Sequence, residues 1–299
     1  MNKIYVMIGV LFTTIFLIFS CQKTPTAQFQ SIEQKYNLNL GVAVKNLTTG
    51  DSIFYHADSL FATASVIKVP ILIELYRQYQ TGSLDPRQEV YLDSTNVWGG
   101  SGILQLLTLP QTLRLQDAAE LMIIVSDNTA TNLVFDQLGP NHDARLDSVN
   151  TTLRKFGIEH TKILNKPMSW ETKKDTPKSW RYGIGVSSPR DLMRIMTMLK
   201  KQAIVSPQAS EAMIGIMRDQ FYNELVPRDL PVFDDTLSFA HKTGGVSTAK
   251  CDVGLIFSPS DTIAFAVMVD NVLDSTAQLS YNGNLAVSEA AKIMYEQIK

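Results

Sequence analysis

In the stretch FATASVIKVP, residues 61–70, a hydroxyl and an amine stand three residues apart in an otherwise apolar run. Val66, Ile67, Val69, Ile71 and Leu72 suggest a buried helix, on which Lys68 falls one turn after Ser65 and on the same face. A serine near a helix N-terminus gains from the partial positive charge there, which favours an attacking oxyanion. A neighbouring lysine can take the hydroxyl proton only as the free amine, so its pKa must fall from about 10.4 towards about 7–8. An apolar helix and a second cation both push in that direction. The spacing thus points to nucleophilic catalysis by a serine with a lysine as base. Taken alone, the motif fits equally a lysine whose stem is covered and whose ammonium reaches water.

Two more short runs bear on that choice. Ser126-Asp127-Asn128 falls in the turn between two helical patterns, and Lys242-Thr243-Gly244 falls inside a strand-like run. Singly, Ser126 reads as a helix cap and Lys242 as a strand-edge charge. Together and in this order, S-x-x-K, S-D-N and K-T-G are the signature of class A β-lactamases and penicillin-binding proteins. From about residue 30 to the C-terminus the chain resembles the class A β-lactamase-like serine hydrolases. The blocks that carry the resemblance are SVIKVPIL, LMIIVSDNTATNL, SSPRDL and HKTGG.

That resemblance implies a role for each matching residue. Ser65 would form an acyl-enzyme with Lys68 as base, Ser126 would relay the proton to the leaving nitrogen, and Lys242 would hold an electrostatic seat beside it. Asn128 would bind a substrate amide and Thr243 a substrate carboxylate. The Gly245 backbone N–H would join that of Ser65 as an oxyanion donor, each worth about 10²–10³ in rate. Asp127 is expected to brace its turn. Lys250, in KCDV, stands where many members carry an arginine, and a lysine offers a point charge without the bidentate fork. Trp98 is a candidate wall of the cleft mouth, and His241 reads as a strand residue.

One part of the pattern is broken. The family carries an E-x-x-L-N segment whose glutamate activates the hydrolytic water, whereas this chain reads WETKKD over residues 170–175. Asp175 replaces the expected asparagine, no leucine precedes it, and an ungapped count puts Pro167 in the glutamate position. Glu171 is the expected base and Asp175 the alternative. Rapid deacylation through such a base, worth about 10²–10⁴-fold, makes a β-lactamase. Without it the same site is a penicillin-binding D,D-peptidase, an esterase-like hydrolase with slow deacylation, or a non-turnover β-lactam sensor. No metal or organic cofactor is implied.

These residues need elements to carry them. Both ends of the chain alternate like strands: LNLGVAVKNL and SIFYH near the start, SFAHKTG, DVGLIFS and TIAFAVMVD near the end, then a helix from about Leu285. The middle is helical, with two segments opened by Ser-Pro. The expected fold is α/β in the α+β sense: a five-stranded antiparallel sheet built from both termini, flanked by helices, with an all-helical subdomain. The α/β part is assigned to 29–65 and 190–299 and the helical part to 66–189, with a cleft between them.

At 45% hydrophobic, 19% charged and a formal net charge of −2, the composition offers no electrostatic case for nucleic acid. Lys3 followed by apolar Ile4–Ser20 reads as a signal peptide over 1–20. LIFSC resembles a bacterial lipoprotein signal, which implies lipidation of Cys21 and a short tether over 21–28. The protein is then expected in the cell envelope, periplasmic and lipid-anchored, as a monomer acting on a small β-lactam or a cell-wall peptide. With Cys21 lipidated, Cys251 is the one remaining thiol, a packed structural cysteine in a strand.

Overall fold

The computed structural model describes residues 24–167, 172–230, 236–272 and 279–299. The first helix, α1 (Pro25–Tyr36), opens at residue 25, so residues 25–28 are helix rather than tether. Thr24 Oγ1 accepts from Ala27 N at 3.4 Å and Pro25 takes the first helical position, where its missing N–H costs nothing. Asn37, in the left-handed conformation at φ 50°, ends the helix.

The main sheet comprises β1 (Asn39–Asn46), β2 (Ser52–Tyr55) and, after the helical middle, three longer strands from the C-terminal third. Before those come β3 (Phe61–Ala62), β4 (Glu89–Leu92), β5 (Gln111–Arg114), β6 (Lys162–Ile163) and β7 (Gly185–Ser187). The long strands are β8 (Ser238–Val246), β9 (Ala249–Phe257) and β10 (Thr262–Asp270). The order is β2-β1-β10-β9-β8, antiparallel throughout, so both termini build one five-stranded sheet as expected.

Both faces of this sheet are covered, which is why β9 and β10 read as near-continuous apolar runs. Leu40, Val42, Val44, Phe265 and Val267 face α1 and the last helix, α9 (Leu279–Ile298). The opposite face presents Ala43, Ala264, Ala266 and Met268 to the helical middle. That middle holds α2 (Lys68–Gln80), α3 (Leu115–Ile124), α4 (Asn128–Gln137) and α5 (His142–Lys155). It continues through the short α6 (Pro177–Tyr182) to α7 (Pro189–Lys200) and α8 (Pro207–Arg218). Helix α2 is buried nearly all round, as a helix at the centre of a core must be.

Its Glu74 is fully enclosed, and its carboxylate accepts from Arg77, Gln78, Ser148 and Thr152. Those donors hold it below the usual carboxylate range although burial alone would raise it. The network fastens α2 to α5 and so fixes the helix that starts at Lys68.

Candidate active site

Ser65 sits in a single 3-10 turn, Ala64–Ile67, that feeds directly into α2. Ala64 takes φ 43°, a left-handed conformation rare for a residue with a Cβ, immediately before the serine. The turn is held from both sides: Thr63 N donates to Gly185 O at 3.0 Å, and Val66 N to Thr63 O at 3.0 Å. Strand β8, the edge of the sheet, passes so close that a Cβ at Gly244 would lie 2.7 Å from Thr63 O and 2.9 Å from Val66 N. Glycine is what allows the third motif to reach the first. Ser65 itself stays partly exposed.

Lys68 is fully buried, which disposes of the solvent-reaching alternative. Its Nζ donates to Ser126 O at 2.7 Å, Ser126 Oγ at 3.1 Å and Asn128 Oδ1 at 3.0 Å. Three contacts match the three hydrogens of an ammonium, and none of them is with Ser65. The S-D-N turn makes this possible: Ser126 takes φ 53°, with its carbonyl against the amine. Burial, then the nearby charge of Lys242, lowers the Lys68 pKa well below the ordinary lysine value. Lys242 is likewise fully buried, donates to Thr243 O at 2.7 Å, and is pushed by desolvation down to about 7. The site thus holds two buried lysines whose pKa values both lie below the ordinary lysine value.

Within the S-D-N turn Asp127 is structural. Asp127 Oδ1 accepts from Ala130 N at 2.8 Å, and its Oδ2 accepts from Ile103 N at 2.7 Å and Leu104 N at 2.9 Å, so it braces the turn as its position suggested. Asn128 receives Lys68 on its oxygen and donates to Gly99 O at 2.9 Å, leaving one amide hydrogen for another partner.

Between the two halves lies a cleft of about 170 Å³. Ser65, Ser126, Thr243, Gly245 and Lys250 all line it, which brings the three motifs and the next strand to one place. Burial lowers the Lys250 pKa, and the charge of Glu224 opposes that shift. Cys251 is buried with its thiol 3.2 Å from Ala62 O, and desolvation drives its pKa up, as befits a packed cysteine.

Other expectations fare differently. Glu171 lies outside the described residues. Asp175 is exposed and accepts from Trp180 Nε1 at 2.7 Å, directed at α6 rather than the cleft. Trp98 is absent from the cleft lining; its backbone N and O both bond the hydroxyl of buried Thr129. The aromatic ring at the cleft is Tyr222, beside Glu224. Neither belongs to a recognisable motif, so residue spacing gave no signal for them. His241 is more than a strand residue: it is buried, with Nδ1 2.9 Å from Asp252 Oδ1 and Nε2 3.2 Å from Asn223 Oδ1. Asp252 Oδ2 also accepts from Val226 N at 3.0 Å. The one available hint was the aspartate of KCDV on the strand next to HKTGG.

Comparison with known proteins agrees with this geometry. β-Lactamase 3 of Bacillus cereus is 24% identical over 282 residues, covering 91% of this chain and 80% of its own length. The crystal structure of a β-lactamase from Sphaerobacter thermophilus superposes with a TM-score of 0.79 at 24% identity, covering 92% of this chain and 96% of that one. An acyl-enzyme complex of a PBP-A variant with penicillin G gives a TM-score of 0.75 at 27% identity, covering 91% and 96%. The model of the β-lactamase enzyme family matches residues 24–298, which takes in every described residue except the last. A match of that extent, over a buried S-x-x-K lysine joined to S-D-N and a K-T-G strand against the turn that carries Ser65, places this chain in the β-lactamase enzyme family.

Proposed function

We propose that the protein is a serine hydrolase that opens the amide of β-lactams through an acyl-enzyme at Ser65. The observation that carries this is Lys68, enclosed, depressed in pKa, and bonded to the Ser126 hydroxyl at 3.1 Å. As a neutral amine it takes the Ser65 proton while Oγ attacks the lactam carbonyl carbon. The oxyanion is received by the Ser65 and Gly245 backbone N–H groups, and Thr243 and Lys250 take the substrate carboxylate. When the C–N bond breaks, Ser126 gives its proton to the nitrogen and is re-protonated from Lys68. Lys242 supplies positive potential to both steps. Water then attacks the ester with Glu171 as base, which frees the product and Ser65. The likeness to the PBP-A acyl-enzyme favours a second reading, a penicillin-binding D,D-peptidase with the same acylation and slow release.

A chromogenic cephalosporin separates them: steady hydrolysis by the wild type, abolished in Ser65→Ala, supports the first. A single stoichiometric burst followed by no turnover supports the second. We also propose that Cys21 is lipidated and holds the domain at a bacterial membrane, on the strength of LIFSC before α1.

A further inference from the structure

We infer that Glu224 is a specificity-determining residue of the cleft, giving its carboxylate-binding end a paired negative charge that favours substrates carrying a cation near their carboxylate. The inference rests on the reading of the cleft as a β-lactam site and names the substrate class within it. Lys250 and Glu224 are the acidic and basic side chains that line the cleft among the described residues, one of each sign. Behind them lie Lys242 and Lys68, both buried, each with its pKa lowered by that burial. A site built solely to draw in an anion would gain nothing from an acid in its wall, since like charges across a low-dielectric cleft repel.

Glu224 is exposed, so the alternative is a solvated loop residue with no fixed relation to the substrate. The neighbours of Glu224 argue against that. On one side Asn223 Oδ1 lies 3.2 Å from His241 Nε2, and on the other Val226 N donates to Asp252 Oδ2 at 3.0 Å. His241 and Asp252 are both buried, 2.9 Å apart, on β8 and β9, the strands that also carry Lys242, Thr243 and Lys250. Phe221 N donates to Ile124 O at 3.0 Å, Tyr222 N to Gln220 Oε1 at 3.1 Å, and Leu225 is buried. The chain on each side of Glu224 is therefore tied to the sheet that presents the carboxylate-binding groups, by the Asn223 side chain before it and the Val226 backbone after it. The charge of Glu224 reaches both Lys242 and Lys250, raising each pKa against the effect of burial. Asp252, the larger opposing charge at Lys242, faces His241 and Val226 N rather than the cleft.

The test uses two cephalosporins with one acyl side chain, one bearing a neutral acetoxymethyl group at C3 and the other a pyridiniomethyl group. The second-order rate constant of acylation, read as kcat/KM or as adduct formation where the adduct persists, is measured for wild type, Glu224→Gln and Glu224→Asp. In Glu224→Gln the pyridinium-to-acetoxy ratio is expected to fall about five- to tenfold at low ionic strength, the size of one charge interaction across a cleft. The fall should shrink in 0.5 M salt, and Glu224→Asp should keep most of the wild-type ratio. A ratio unchanged within about twofold in Glu224→Gln, with a reactive wild type, overturns the role of Glu224 alone. A wild type that reacts with neither cephalosporin takes down this inference and the acylation reading together.

Discussion

Lys68 Nζ lies 2.7 Å from the carbonyl oxygen and 3.1 Å from the hydroxyl of Ser126, fifty-eight residues further along the chain. The amine one turn after Ser65 is thus wired, at rest, to the hydroxyl that the proposed acylation would use for the leaving nitrogen. On that proposal a proton taken from Ser65 would arrive where it is needed next. The carbonyl contact depends on Ser126 holding φ 53°, so the left-handed turn and the placing of the amine are one feature.

Lys242 is a cause of the lowered Lys68 pKa, second to burial. Replacing it with glutamine removes a like charge, so the Lys68 pKa rises and less free amine is present at pH 7. The acid limb of the pH profile of acylation should move to higher pH in Lys242→Gln. Lys68→Ala should lose about 10²–10⁴-fold in kcat/KM. An acid limb that stays in place in Lys242→Gln would show that Lys68 is not the titrating base.

The same burial has a cost in stability. Between pH 7 and about 10.5 the unfolded chain holds the Lys242 proton and the folded chain does not. Stability then rises with pH by about 1.4 kcal/mol per unit over that window and the penalty is fully present below it. Lys242→Met should be more stable than wild type at pH 7, and its lead should shrink by about 2–3 kcal/mol by pH 9 in urea unfolding. A lead that is constant across that range would contradict the depressed value.

The sheet was legible because its strands are long and alternate, from Leu40-Val42-Val44 at one end to the apolar runs of β9 and β10 at the other. Helices α1, α3, α4, α5, α7 and α8 were legible from period and from Ser-Pro starts, and α9 from about Leu285 onward. The short β3, β4, β5, β6 and β7, of two to four residues, were not. So few residues show no period, and tertiary pairing alone makes them strands. In the site, each motif declared its own residues, but the partners of Lys68 could not be read from S-x-x-K. Spacing puts Lys68 beside Ser65, whereas the left-handed Ser126 draws the amine across to a different helix junction. Asn223, His241 and Asp252 were hidden for a similar reason, being joined by strand register rather than by sequence.

Gly244 leaves no room for a side chain against the nucleophile turn. Gly244→Ala should push β8 away from Ser65, lowering stability by about 1–3 kcal/mol and slowing acylation more than deacylation. Thermal unfolding and stopped-flow acylation measure the two effects. A variant that acylates at the wild-type rate would mean that the strand does not have to sit this close.

Lipidation at Cys21 predicts incorporation of a fatty-acid probe by the full-length protein in cells and its loss in Cys21→Ala. Equal labelling of both proteins would place the modification elsewhere, and no labelling of either would remove it.

The central claim, an acyl-enzyme at Ser65 released with help from Glu171, is tested most directly by intact-protein mass after rapid mixing with penicillin. Peptide mapping then locates the adduct. Wild type is expected to gain the mass of one penicillin transiently, at Ser65, and Ser65→Ala to gain none. Glu171→Ala should acylate at a similar rate and accumulate the adduct, with deacylation slowed about 10²–10⁴-fold. An adduct on another serine, or no adduct in wild type and Glu171→Ala alike, would contradict the account. A wild type that keeps its adduct for hours would contradict rapid release and leave the penicillin-binding reading in its place.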